Sequence, residues 1–322
     1  MGIDERLDPE EVRVHAQAIA KVSAAEGLRV LKLENRPILG RIFYWITRRT
    51  LQRFALSMAQ FDLLVAREGT AAAANWLLPR FINSLSVEDS DRIPLDGPLV
   101  VAANHPGAAD VLALMAGVPR RDFRLVVSLP SAKVLTHAMK HVIFVPPKQE
   151  RQPHQVTNLI IEELRQGNCV LIFPRGNLEP DPVLLDHSAA SLGHWSTSLR
   201  LFCEQAPDTQ IIPAVVGGVF SPQALLTPLA RLYRTLKDRQ RAALVLQLIV
   251  KFARPERWPV AAQVRFGEVV TQAQVGLDGV LPAVREQMLG LFGQVQQITP
   301  WPLLNGVGGW FPLEMGPVTT SR

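Results

Sequence analysis

Cysteine is scarce: the 322 residues hold two, Cys169 and Cys203, too few for a disulfide framework or a four-thiolate zinc site. A reducing compartment is the expected setting, and stability has to come from packing. Charge is modest, at 20% of residues against 48% hydrophobic ones, so the chain is too apolar to be mostly disordered and long enough for a substantial core. Long apolar runs are missing. Ala242 to Val250, the longest nearly uninterrupted stretch, falls far short of the roughly 18 residues that a membrane-spanning helix requires, so any membrane association is expected to be peripheral. The opening MGIDERLDPEE carries acids and no apolar segment, which argues against a cleaved secretory signal and for a protein that stays where it is made. There is no Walker lysine loop, no G-x-G-x-x-G turn, no G-x-S-x-G elbow and no repeat of solenoid length, which removes the usual evidence for three large enzyme classes.

The charge that is present leans basic, 34 Lys and Arg against 29 Asp and Glu for a net +5. That is a mild bias toward anionic partners: phospholipid surfaces, phosphorylated substrates or nucleic acid. Nucleic-acid binding would call for clustered Lys and Arg with stacking aromatics, whereas the arginines here are scattered, so no nucleic-acid partner is expected.

Up to residue 92 the chain reads as one helical region, with Ala-rich and Leu-rich periodic stretches. From Gly97 short apolar runs alternate with Gly, Pro and polar residues: PLVVAAN, FRLVVSL, VIFV, CVLIF, IIPAVV and QVRFGEVV. Buried strands alternating with helices predict an α/β domain over 93–272, with a mixed, largely parallel central sheet flanked by helices. Residues 273–322 read as one amphipathic helix, roughly Val280 to Gln297, and a tail rich in Gly, Pro and Trp.

Between Pro37 and Leu64, Leu39, Ile42, Phe43, Ile46, Phe54, Phe61 and Leu64 recur at helical spacing, with Arg41, Arg48 and Gln52 opposite and Arg49 and Arg53 along one edge. Two readings fit: a helix packed on the core, or a basic amphipathic helix lying in a bilayer interface with its arginines on anionic head groups. They coexist if protein buries only part of the stripe.

Val100 to Asn104 reads as a strand running into His105-Pro106-Gly107-Ala108-Ala109-Asp110 and then an apolar helix. At the carboxyl end of a strand in an open α/β sheet, a loop residue faces the crevice where ligands bind. Asp110 falls in the first helical turn, from which it can fold back to hold one imidazole nitrogen, leaving the other free as a general base. This is half of a triad, with a substrate hydroxyl taking the place of the serine. The spacing alone carries little information, since an aspartate also favours a helix amino end through its dipole.

Other polar clusters carry less. His137 and His141 are four apart on an expected helix, but no third ligand follows and Lys133 and Lys140 make a solvated basic face the better reading, so no metal is expected. His187 and His194 read as surface-loop residues, and Cys169 and Cys203 as small buried hydrophobes rather than nucleophiles. Trp195, Trp258, Trp301 and Trp310 fit either packing or an interfacial belt.

With these residues in view, the chain resembles the glycerophospholipid acyltransferase family, the one typified by 1-acylglycerol-3-phosphate acyltransferase, in four blocks in order. NHPGAAD, Asn104 to Asp110, resembles the family's N-H-x4-D block, which implies His105 as base, Asp110 as its orienting partner, and Asn104 and Gly107 beside the substrate. After VIFVPP the family places an arginine that helps hold the acceptor, and Arg151 is the best match. IFPRGN, Ile172 to Asn177, resembles the F-P-E-G-T-R-S block and implies substrate contacts from Phe173, Pro174, Arg175, Gly176 and Asn177. IIPAVVGG, Ile211 to Gly218, resembles the V-P-V block, with Pro213 expected near the acyl-chain or acceptor site. The resemblance covers roughly Pro94 to Val270.

The third block departs from the family pattern. Arg175 stands where glutamate is usual, Asn177 replaces threonine, and Leu178 stands where an arginine would reach an acceptor phosphate. Three possibilities stay open: Arg175 supplies the lost cation, the acceptor carries no phosphomonoester, or Arg175 and Glu179 pair with each other.

The resemblance implies transfer of a fatty acyl group from acyl-CoA or an acyl carrier protein to a glycerolipid-like or lysophospholipid hydroxyl. The thioester donor is a co-substrate, and no bound cofactor is implied. Backbone amides around Gly107 or Gly176 are candidates for meeting the oxyanion. The expected setting is peripheral, on the cytoplasmic face of an anionic membrane. The competing readings are an inactive lipid-binding or scaffold protein of the same fold, and a hydrolase in which water replaces the alcohol.

Overall fold

The structure is a computed structural model, and it describes residues 2–128, 130–146, 150, 154–185, 188–233 and 235–298. All six apolar runs become strands, the last of them split in two. The strands β1 (Ser84–Glu88), β2 (Leu99–Ala103), β3 (Phe123–Val127), β4 (Val142–Phe144), β5 (Cys169–Ile172), β6 (Gln210–Gly217), β7 (Ala261–Phe266) and β8 (Val270–Thr271) form one sheet. Its order is β1-β7-β6-β2-β5-β3-β4, with β8 beside β6. From β6 through β4 all neighbours are parallel, while β7 and β8 run antiparallel to β6, so the sheet is mixed and mostly parallel as expected.

Helices of eight or more residues among those described are α1 (Pro9–Val30), α2 (Pro37–Glu68), α3 (Thr70–Leu77), α4 (Ala108–Gly117), α5 (Gln155–Arg165), α6 (Ser198–Gln205), α7 (Leu236–Ala253) and α8 (Val280–Ile298). Their starts are written locally. Asp8 accepts from Glu10 N ahead of Pro9 at the first position of α1, and the Thr235 hydroxyl accepts from Asp238 N at the start of α7.

Both faces of the sheet are covered, which is why the central strands are continuously apolar. Leu99, Val101 and Ala103 of β2 pack with β5 and β6 neighbours under α1–α4 and α7. Val100 and Ala102 point the other way, onto α5, α6 and α8. The expected C-terminal helix is α8, whose Val284, Met288 and Phe292 are buried in this second layer.

One feature differs from the sequence expectation. The segment read as wholly helical contains β1, whose ladder with β7 needs a partner 177 residues away, as the Ser84 to Ala261 register records, and a short polar SLSVE run shows no sign of it. The apolar stretch from Ala242 to Val250 is the middle of α7, an inner helix whose buried face also carries Gln240, Gln247 and Lys251.

Helix α2 divides near its middle. Ala55, Phe61 and Leu64 are buried, and Phe54 stacks edge-on against Phe81 and Phe252. Toward the amino end the apolar side chains face outward: Ile38 is 73% exposed, Trp45 67% and Ile46 64%. The expected stripe is thus core along one half and exposed along the other. Arg53, on the stripe's edge, is committed to the carbonyls of Phe252 and Ala253 at the end of α7. Among the described residues no helix is long and apolar enough to cross a membrane.

Candidate active site

Three neighbouring parallel strands, β6, β2 and β5, send their carboxyl ends to one place. The chain leaves β2 for β3 on one side and later reaches β6 on the other, so β2 sits where the strand order reverses, the usual position of a ligand crevice in such sheets. Asn104 follows β2 and is fully buried, its amide donating to the Val216 carbonyl and accepting from Val216 N, both at 2.8 Å. That bridge ties the end of β2 to β6 and fixes where the next residue, His105, begins.

His105 and Asp110 come together. His105 Nδ1 lies 2.8 Å from Asp110 Oδ2, and the same oxygen accepts from Gly107 N at 2.8 Å while Oδ1 accepts from Val111 N at 2.6 Å. Asp110 is in the first turn of α4, where its charge also meets the positive end of the helix dipole. With Asp110 fully buried and 26% of the His105 side chain exposed, the dyad is anchored from beneath and open above. Among the described residues Nε2 has no hydrogen-bond partner, so the nitrogen opposite the carboxylate is the open one. Phe173, just past β5, stacks on the imidazole with ring centres 4.2 Å apart and planes 21° from parallel. Burial by itself would push the imidazolium down, but the charge and hydrogen bond of Asp110 and the charge of Glu179 outweigh it and hold His105 above the usual histidine range.

The His105 loop is packed closely against its neighbours. A Cβ on Gly107 would come within 3.0 Å of Leu244 on α7 and 3.2 Å of the Phe220 ring, so a side chain here would require those neighbours to give way by a few tenths of an ångström. Phe220 is placed by a turn after β6 in which Gly218, at φ +68°, has no room for a side chain: a Cβ would stand 2.2 Å from the Ala261 carbonyl oxygen. Buried Asp181 accepts from the Gly218, Val219 and Phe220 amides at 2.8, 2.9 and 3.3 Å. Burial pushes its carboxyl up to about 6 despite those bonds. Gln247 of α7 completes the turn by accepting from Ser221 N and donating to the Val219 carbonyl.

The remaining residues of the four blocks divide. Gly176 N donates to the Phe173 carbonyl at 2.8 Å, closing a tight turn with Gly176 at φ +66°, and Asn177 is exposed beside it. Pro174 is buried. Arg175 is half-buried and donates to the Leu178 carbonyl at 2.7 Å within its own turn, rather than forming an ion pair with Glu179. Its charge nevertheless acts on Glu179. Because Gly107 N is held by Asp110 and Gly176 N by Phe173, neither expected oxyanion amide is open in this arrangement. Pro213 is buried in β6 opposite Ala102, and its carbonyl accepts from Gly267 N. It sits on the flank where β6 changes partner from β8 to β7, so its missing N–H breaks no ladder bond. Arg151 lies outside the described residues, as do His187, Trp301 and Trp310.

The other polar candidates resolve into packing. Burial pushes the Cys169 thiol up to about 12 and the Cys203 thiol up to about 11, so neither is a ready nucleophile. Trp195 is a core residue donating to Glu179. His137 precedes and His141 ends a 3-10 turn, Ala138–His141, so the two do not share an α-helical face. Among the described residues no group of three or more His, Cys, Asp or Glu is placed to hold a metal ion.

Sequence reasoning treated Glu179 only as a possible partner of Arg175. It is 1% exposed and lies against His105. The available signal was the LEPDP segment directly after the third block, two acids each followed by a proline, which correspond to the two buried carboxylates Glu179 and Asp181.

No curated protein matches the sequence. A crystal structure of the 1-acyl-sn-glycerophosphate acyltransferase PlsC from Thermotoga maritima is 15% identical, with the match covering 88% of this chain and 98% of that chain at a TM-score of 0.43. The family model described as acyltransferase matches residues 84–217, from the first residue of β1 to the last of β6, and so encloses the His105–Asp110 dyad and the Phe173 turn. Through this central domain the chain is similar to the acyltransferase family.

Proposed function

We propose that the protein moves a fatty acyl group from a thioester, acyl-CoA or acyl carrier protein, to the hydroxyl of a glycerolipid-like or lysophospholipid acceptor, a step of phospholipid biosynthesis. The observation that carries this is the dyad itself: an imidazole with one nitrogen on a buried carboxylate and the other open at the tips of β6, β2 and β5. His105 Nε2 takes the hydroxyl proton as the oxygen attacks the thioester carbonyl, the tetrahedral oxyanion collapses, and the thiolate leaves and collects a proton. Asp110 keeps Nδ1 protonated, so that Nε2 carries the lone pair, and supports the imidazolium that forms. Neither a metal nor a bound cofactor enters this scheme.

Incubating the protein with acyl-CoA or acyl carrier protein thioesters and a panel of phosphate-bearing and phosphate-free lysolipids tests the reading. Thiol release is expected to require the acceptor and to match ester formed. Equal release without acceptor would mean a hydrolase, and no release with any donor a binding protein. Repeating the panel with Arg175→Ala separates the acceptor classes: a loss confined to phosphate-bearing acceptors supports a phosphate contact, and an equal loss on both removes it.

The partner surface proposed for the substrate is an anionic membrane on its cytoplasmic side, met by the outward half of α2. Ile38, Leu39, Ile42, Tyr44, Trp45 and Ile46 are exposed there together with Arg36, Arg41, Arg48 and Arg49, a combination that suits the acyl and head-group layers of an interface. Flotation with anionic vesicles is expected to fall by about tenfold or more when Ile38, Trp45 and Ile46 are all replaced by serine, because each large apolar side chain withdrawn from water contributes about 1.5–3 kcal/mol. Flotation unaffected by these substitutions, or absent in the unaltered protein, removes this surface.

A further inference from the structure

We propose that Glu179 is a positioning residue for the His105 base: through the His105 main chain it sets where the imidazole stands, and its charge supports the imidazolium formed during transfer. This rests on the acyl-transfer reading above.

The geometry is a two-way clamp. Glu179 Oε2 accepts from His105 N at 3.0 Å, and Glu179 N donates to the His105 carbonyl at 2.7 Å. One residue thus holds both main-chain polar groups of His105 just past the end of β2, where the ladder no longer does so. Glu179 is itself fixed from both layers of the fold. Its Oε1 accepts from Trp195 Nε1 at 2.9 Å and from the Ser191 hydroxyl at 2.7 Å, on the side of α5, α6 and α8. Its carbonyl accepts from Gln240 Nε2 at 3.1 Å, on α7 in the opposite layer. A shift of either layer therefore reaches the imidazole through this residue.

The chemistry favours a carboxylate over a neutral look-alike. Donors from His105, Trp195 and Ser191 converge on two oxygens, and an ionised glutamate is acceptor-only at both. Glutamine would aim an N–H₂ at either the indole N–H or the His105 N–H. Keeping a carboxylate buried is costly, and burial does push Glu179 up, with partial relief from Trp195, Ser191, the His105 amide and the charge of Arg175. Among the described residues, the charged groups facing His105 are Asp110 from α4 and Glu179, with Arg175 beside Glu179. The other elements packed here present uncharged groups: Gln240 and Leu244 from α7, Phe220 from the turn after β6, and Ser191 with Trp195.

The test compares full-length wild type, Glu179→Gln and Glu179→Asp in acceptor-dependent acyl transfer across pH, with the His105 ring signals followed by NMR in the same proteins. Glu179→Gln is expected to lower kcat roughly 10- to 100-fold, the scale of a small misplacement of a catalytic group, with KM for donor and acceptor within about threefold. The acid limb of its kcat profile and the His105 titration midpoint both move to lower pH, because a negative charge near the imidazolium is gone. Glu179→Asp keeps the charge and loses reach, so kcat falls while His105 titrates close to wild type; it also carries the test if the Gln variant does not fold. Wild-type kcat in either folded variant, a loss expressed in KM alone, or an unmoved His105 titration in Glu179→Gln overturns the proposal. If the wild type transfers no acyl group at all, the acyl-transfer reading fails, and the NMR midpoint alone still decides whether Glu179 acts on His105.

Discussion

Replacing His105 with alanine is expected to lower acceptor-dependent acyl transfer by about 10²- to 10⁴-fold, the range a positioned general base contributes. The fold should survive. Asp110 keeps its bonds from Gly107 N and Val111 N, so no bare carboxylate is left beneath the loop, and Glu179 binds main-chain atoms that alanine retains. What goes is the stack on Phe173 and the Nδ1 contact. A melting temperature within a few degrees of wild type alongside a collapse of kcat separates lost chemistry from lost structure. A His105→Ala protein transferring acyl groups at nearly the wild-type rate would remove the histidine from the reaction.

Asp110→Asn should cost about as much activity and more stability. Asp110 serves three donors, with Oδ2 shared by His105 Nδ1 and Gly107 N and Oδ1 taken by Val111 N. Asparagine has one acceptor oxygen, so its N–H₂ must face either the Val111 amide or the His105–Gly107 pair. Leaving a buried donor unmatched costs about 1–3 kcal/mol, which denaturant unfolding would read directly. The rate should drop about 10²- to 10⁴-fold, because the imidazole loses both its fixed tautomer and the charge opposite the forming imidazolium.

The pH dependence has a definite sign. In the folded wild type His105 is held above its ordinary value, so protonated His105 adds stability that is complete below the unfolded histidine value and is lost as pH rises through the folded one. In the proposed reaction the base must be neutral, so activity is expected to run the other way and rise as pH passes the folded value. Without the Asp110 charge both transitions should move to lower pH, visible as an acid limb shifted that way in kcat/KM. An acid limb in the same place would mean that another group controls it.

The dyad was legible because it is local. Four residues separate His105 from Asp110, a strand delivers one and the first helical turn the other, and local backbone geometry brings the two within reach. The strands were legible for a related reason: residues buried on both sides must be apolar at every position, so β2, β5 and β6 announce themselves as unbroken runs. β1 did not, being an edge strand of alternating exposed and half-buried residues. Asn104 matched a family block by its letters, yet its amide is spent on the Val216 backbone 112 residues away, a partner no motif names. The α2 stripe has one period along its whole length, and periodicity reports which side chains share a face, not which part of that face another element covers.

Composition, apolar runs and one short motif therefore determined the class of fold, the strand that delivers His105 and the carboxylate beside it, because each follows from interactions between near neighbours in the chain. Tertiary structure alone decided that the tips of β6, β2 and β5 converge, that Glu179 grips His105 from 74 residues away with Gln240 behind it, and that half of α2 stays uncovered. Those outcomes depend on which distant surfaces meet, and a side chain's own sequence neighbours carry no record of that encounter.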